Sequence, residues 1–170
     1  ENRHYRLEEY LSRNCENYPS HELGPIMQVL DINRSNRLMT LSSTASKATG
    51  LHEYCMKNKA DNKDLCQAQF AQGDIVTTVI TCEGGQTIVL TLDTTLPRYY
   101  SRGFTVRGTK GMYMESNDSV FLDGEHNEFE FKWKEHWNNA DKYAEKYEHP
   151  LWAAITEEER AAGHGGIDYL

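Results

Sequence analysis

Asp74-Ile75-Val76-Thr77-Thr78-Val79-Ile80-Thr81-Cys82-Glu83-Gly84-Gly85-Gln86-Thr87-Ile88-Val89-Leu90-Thr91-Leu92-Asp93-Thr94-Thr95 decides the fold class of this 170-residue chain. Val, Ile and Thr at this density favour a pleated surface, where a branched Cβ packs well. Glu83-Gly84-Gly85 reads as a turn, so the stretch is a β-hairpin. Side chains alternate across a strand. Ile75, Thr77, Val79 and Thr81 therefore share one face of the first strand, and Val76, Thr78, Ile80 and Cys82 the other. On the second strand Ile88, Leu90 and Leu92 oppose Thr87, Val89 and Thr91. One face of the hairpin is thus Thr-rich yet partly apolar, which suits an interface between subunits.

Outward from the hairpin, Arg37 to Ser46 alternates and ends in small hydroxylated residues, the pattern of a strand. On the other side Pro97 and the Tyr99-Tyr100 pair break the periodicity. Phe104 to Gly108, Gly111 to Glu115 and Ser119 to Leu122 read as short strands between Gly-containing turns. Asn139 to His149 reads as a helix that Pro150 interrupts, and Thr156-Glu157-Glu158-Glu159 is a capping box opening a last helix. Phe129 to Trp137 reads as a surface strand or loop. Towards the N-terminus, Leu7 to Leu11 is partly helical. A short helix is expected near His52 to Lys57, and a second helix or a connector over Asp64 to Ala71. The order predicts an α+β fold, with helices on one face of a mostly antiparallel open sheet.

Composition narrows the function. The net charge of -8 argues against nucleic acid as a partner. Mean hydropathy is -0.74, and no apolar run reaches the length of a membrane span. Cys15, Cys55, Cys66 and Cys82 show no CxxC pair and no zinc spacing. They read either as four free or buried thiols or as one or two disulfides. The His residues form no HxxxH or HxH pattern, so no metal site is expected. A GxSxG elbow, a P-loop, a GxGxxG and an HExxH are all missing from the chain.

The chemically suggestive segment is Asn14-Cys15-Glu16-Asn17-Tyr18-Pro19-Ser20-His21-Glu22-Leu23-Gly24-Pro25. Tyr18-Pro19 reads as extended, and Ser20 as the N-cap of a helix. Leu23, Ile26, Met27 and Leu30 then mark one apolar stripe of a helix reaching about Asn33. Pro25 is expected in its first turn. His21 would sit at the positive end of that helix, where negative charge is favoured, with Tyr18 just ahead of it. On the residues alone this is a capping segment with a surface His or a candidate Tyr/His site.

Asn17 to Pro25, followed by Asp31-Ile32-Asn33-Arg34, resembles the signature of glycoside hydrolase family 109. That family sits within the Gfo/Idh/MocA oxidoreductase superfamily, and its best-known activity is α-N-acetylgalactosaminidase. Tyr100-Ser101-Arg102, Gly108-Thr109-Lys110-Gly111 and Gly163-His164-Gly165-Gly166-Ile167-Asp168 follow in the family's order, so the resemblance spans nearly the whole chain. It implies that residues 1–170 are a single substrate-binding and oligomerisation domain from a longer chain, whose N-terminal NAD-binding domain lies outside it. The chain's start without Met, and its close on Ile-Asp-Tyr-Leu like the opening of another helix, point the same way.

The implied chemistry is glycoside cleavage by transient oxidation of the sugar C3 hydroxyl with NAD, elimination, water addition and hydride return. Carried over by position, Tyr18 and His21 would be catalytic and line the sugar site, with Tyr18 also near the nicotinamide. Pro19 and Ser20 would complete the sugar-contacting turn, and Arg6 and Tyr100 would bind substrate. The chain departs from the pattern at Glu22, where characterised glycosidases often carry Gly. His164, between glycines, is a further candidate or a turn residue. The rival readings are a sugar or inositol dehydrogenase of the same superfamily and a non-catalytic module that dimerises through its sheet. A homo-oligomer is expected through that face. The compartment stays open, with bacterial periplasm and cytoplasm both compatible.

Overall fold

The computed structural model of the chain describes residues 6–127 and 129–162. The His164 segment lies outside them. By its internal contacts the chain divides into two compact units, Glu1–Tyr99 and Tyr100–Leu170.

The hairpin forms as its composition demands. Strand β2 spans Ile75–Cys82 and β3 spans Thr87–Asp93, antiparallel, with Thr81 opposite Thr87. The Gly85 N–H donates to the Cys82 carbonyl (3.0 Å), and the Cys82 N–H donates to the Gln86 carbonyl (2.8 Å). Gly85 takes a φ of 84°, a left-handed conformation that a glycine adopts without steric cost. Strand β1, Leu38–Ala45, pairs antiparallel with β2 to complete a three-stranded sheet in the order β1-β2-β3. The alternation is as expected: Val76, Thr78, Ile80, Cys82, Ile88 and Leu90 are buried.

Helix α1 spans Leu7–Ser12 and α2 spans Ser20–Val29. Leu23, Ile26, Met27 and Leu30 press the α2 stripe onto Ile32, Ile80, Cys82, Ile88 and Leu90. Two details of α2 differ from expectation. Pro19, already in helical conformation, is the N-cap in place of Ser20, and it caps through no side chain. The helix therefore starts one residue earlier, and Pro25 falls in its second turn. There it has no N–H to give the His21 carbonyl one turn back. The helix also ends before Asn33, because Asp31 turns left-handed at φ 57°. The Ile32 N–H then reaches the Met27 carbonyl (2.9 Å) and the Asp31 N–H the Gln28 carbonyl (3.3 Å). This is a Schellman closure with Asp where Gly is usual, and Ile32 supplies its apolar contact.

Two short helices, α3 at Gly50–Asn58 and α4 at Lys63–Gln67, follow β1. They bury Cys55, Cys66 and Phe70 in a second cluster, against which Leu7 and Tyr10 of α1 pack. Asp74, itself buried, caps α3 by accepting from the backbone N–H of Thr49 (2.8 Å) and Gly50 (2.9 Å). All four cysteines are free thiols.

The second unit carries β4 (Thr105–Gly108), β5 (Gly111–Met114) and β6 (Ser119–Leu122) as an antiparallel three-stranded sheet. Helices α5 (Asp141–Tyr147), α6 (Pro150–Ala153) and α7 (Glu157–Ala161) follow. The capping box of α7 is present in full, with Thr156 accepting from the Glu159 N–H and Glu159 accepting from the Thr156 N–H. The class is α+β with open antiparallel sheets. Among the described residues, no helix is long and apolar enough to cross a membrane.

Candidate functional site

Residues 13–18, between α1 and α2, have no regular secondary structure. They are held by the three residues that lead into β2. The Tyr10 carbonyl accepts from the N–H groups of Ala71 (2.9 Å) and Gln72 (3.0 Å). Asn14 Oδ1 accepts from the Gly73 N–H (3.0 Å). Gln72 Oε1 accepts twice, from the Cys15 N–H (3.2 Å) and from Asn17 Nδ2 (3.0 Å). Gln72 is fully buried, at 0% exposure. No side chain fits at Gly73, because a Cβ there would meet the Ser46 carbonyl.

From this anchored loop Tyr18 projects towards solvent, 53% exposed. Its hydroxyl and His21 Nε2 lie 2.9 Å apart, with the two rings tilted at 49° and their centroids 4.9 Å apart. Arg6 brings its guanidinium to 5.8 Å from the Tyr18 ring centroid, a cation–π distance. The Pro19 carbonyl accepts from the N–H groups of Glu22 (3.2 Å) and Leu23 (2.8 Å), which sets the turn between Tyr18 and His21; Ser20 is exposed beside it. Arg6, Tyr18, Pro19, Ser20 and His21 therefore come together on one surface. Tyr100 opens the second unit and is 89% exposed.

A Tyr hydroxyl bonded to an imidazole nitrogen can hold or pass one proton, since each group is donor in one state and acceptor in the other. The same loop also buries a carboxyl oxygen. Glu16 Oε2 is sealed from solvent with no hydrogen-bond partner. Burial pushes the Glu16 acid above its ordinary value, the Glu22 charge pushes the same way, and the Tyr18 backbone draws it partly back. Two hollows in the second unit are lined by that unit's residues alone, the larger by Tyr113, Tyr143, Tyr147 and Trp152 among others, with a volume of about 610 Å³. A cation lies over three of these rings, Lys142 over Tyr143, Lys146 over Tyr147 and Arg160 over Trp152.

The family described as "Glycosyl hydrolase 109, C-terminal domain" matches residues 1–170. The chain belongs to this glycosyl hydrolase 109 family. Similar proteins include a "Glycosyl hydrolase family 109 protein" of Parabacteroides distasonis, 42% identical over 98% of this chain and 34% of its own length. An "Alpha-N-acetylgalactosaminidase" of Tannerella forsythia is 38% identical over 98% of the chain and 34% of its own length. A family 109 protein of Stenotrophomonas maltophilia is 43% identical over 98% and 36%. The chain thus spans about a third of the length of these relatives.

Sequence reading brought out the Tyr18–His21 pair but not Asn14, Asn17, Gln72 or Glu16 in their structural parts. Gln72 carries no local signal, being a lone amide ahead of a strand. Only Gly73 and Asp74 beside it hint at a tight junction there.

Proposed function

We propose that this glycosyl hydrolase 109 domain is the substrate-binding part of an NAD-dependent glycosidase that acts on hexose or amino-sugar glycosides. The observation that carries the reading is the exposed Tyr18–His21 couple, 2.9 Å between its polar atoms, with Arg6 beside it. The glycosidase names of the relatives support the glycoside as substrate class.

The donor set of the chain fits one edge of NAD. Tyr18 offers a half-exposed ring for the nicotinamide. The pyrophosphate finds no cradle at the glycine-led start of α3, because Asp74 already takes the Thr49 and Gly50 N–H groups. When bound, the cofactor supplies reversible oxidation at C3 of the sugar. The chain's own residues bind and move protons. Arg6 donates to sugar hydroxyls, and the Pro19–Ser20 turn sets the rim. His21 Nε2 and Tyr18 Oη share the proton that leaves the sugar carbon or reaches the departing oxygen. Tyr100, in the second unit, is proposed as a substrate residue by its place in the family pattern alone. Unlike a two-carboxylate glycosidase, such a site needs groups that exchange protons near neutral pH, as a His–Tyr couple does.

The sheet supports self-association. Thr40, Ser42 and Thr44 stand opposite Thr81, Val79 and Thr77 on the face turned from the core, and Val89, at 61% exposure, extends it. Light scattering of the full-length protein should report an oligomer; a monomer would remove that part of the proposal.

The test uses the full-length protein with bound NAD and nitrophenyl α- and β-glycosides, beginning with the N-acetylgalactosaminide. Release of nitrophenol without net NADH, falling about 100-fold or more in His21→Ala, is expected. NADH accumulating from free sugars, with no glycoside cleaved, would replace the reading by a sugar dehydrogenase. Residues 1–170 alone should show no turnover.

A further inference from the structure

We propose that Gln72 is a positioning residue that sets the Tyr18–His21 couple from beneath, an inference that rests on reading this couple as the reactive surface. The couple is hung between two anchors. On the C-terminal side, α2 carries His21 and is fixed by its apolar stripe to Ile80, Ile88 and Leu90 of the hairpin. On the N-terminal side the backbone reaches Tyr18 through Cys15 and Asn17, and both donate to the single oxygen Gln72 Oε1. Gln72 stands three positions ahead of β2, so both anchors lead to the same hairpin. That hairpin acts as a gauge for the distance between the Tyr18 hydroxyl and the imidazole.

The physical consequence is asymmetric. Removing the Gln72 acceptor strands two donors in a half-buried loop, and the loop shifts to satisfy them elsewhere. The α2 stripe does not involve those donors, so His21 stays where it is. Tyr18 therefore moves relative to His21, and a displacement of about 1 Å at a reacting pair costs on the order of 100-fold.

The experiment uses the full-length protein labelled with ¹³C-histidine, the His21 signal being assigned by its loss in His21→Ala. Tyr18→Phe provides the reference change in the His21 ring signal, since it deletes the bonding partner. Gln72→Leu should move the His21 ring signal in the same direction, and kcat should fall about 10- to 100-fold in Gln72→Leu with KM less affected. Asn17→Ala, at the outer end of the clamp, should give the same pattern in weaker form and stands in if Gln72→Leu does not fold. A His21 ring signal unchanged in the folded Gln72→Leu or Asn17→Ala protein, while Tyr18→Phe changes it, overturns the proposal. So does a Tyr18→Phe protein with an unchanged His21 signal. If the signal pattern appears but no glycoside is cleaved, the positioning role stands and the glycosidase reading falls.

Discussion

The first unit builds its sheet from two strands of eight residues and one of seven, whereas each strand of the second unit has four. Length decides how much apolar surface alternation can bury, because a four-residue strand offers only two side chains to a face. The first unit accordingly closes an apolar cluster on its sheet, beside a second formed around α3 and α4. In the second, Tyr143 is the one buried apolar residue among those described, and Phe129, Phe131, Trp133 and Leu151 are exposed. The second unit relies instead on side chains stapled to backbone. Asn139 donates to the Val120 carbonyl (3.0 Å) and accepts from its N–H (2.7 Å). His126 Nδ1 accepts from the Leu122 N–H (3.0 Å), and Glu115 accepts from the Phe104 N–H (2.8 Å). The first unit adds apolar area to its polar ties, whereas the second has its polar pairs with little buried apolar area beside them.

The largest expected effect tests the first half of this contrast. Ile80→Ala empties a fully packed site between α2 and the sheet and should cost about 2–5 kcal/mol in denaturant unfolding. An equal loss from Val120→Ala in the half-buried β6 would break the contrast.

Asn139→Ala comes next. It leaves the Val120 N–H and carbonyl without their partner and should cost about 1–3 kcal/mol, seen as faster amide exchange in β5 and β6 with β2 and β3 unchanged. Protection in β5 equal to that in β2, before or after the substitution, would show that the second unit has a core of its own.

The smallest effect is a gain, and it lies in the polar loop of the first unit. The Glu16 acid is held above its ordinary 4.5 in the folded chain. The folded state therefore binds that proton more tightly than the unfolded state. Folding carries a cost above the folded value that disappears below the unfolded one. Glu16→Gln should raise Tm slightly at pH 7 and change nothing below about pH 4. A loss at pH 7 would show that the carboxylate accepts a bond worth more than its burial costs.

The sequence by itself determined what depends on neighbours along the chain. The hairpin, its Glu83-Gly84-Gly85 turn, the strand faces, the α2 stripe and the Thr156 capping box are all local periodicities or short-range bonds, and each stands where its residues place it. The Tyr18–His21 pair was visible for the same reason, since three positions across a helix start bring two rings together. Local pattern failed at the ends of α2. Pro19 rather than Ser20 opens that helix, and Asp31 closes it early with a left-handed turn that only packing of Ile32 against the hairpin rewards. The tertiary structure alone decided the buried polar ties. Gln72 meets Cys15 across 57 positions, Asn36 meets Gln86 across 50, and Asp74 caps a helix 24 residues earlier. No periodicity records such pairs, because a buried amide or carboxylate chooses its partner by what the fold brings within 3 Å. That choice follows from the requirement that a buried polar group be satisfied, and it exists only once the chain has closed.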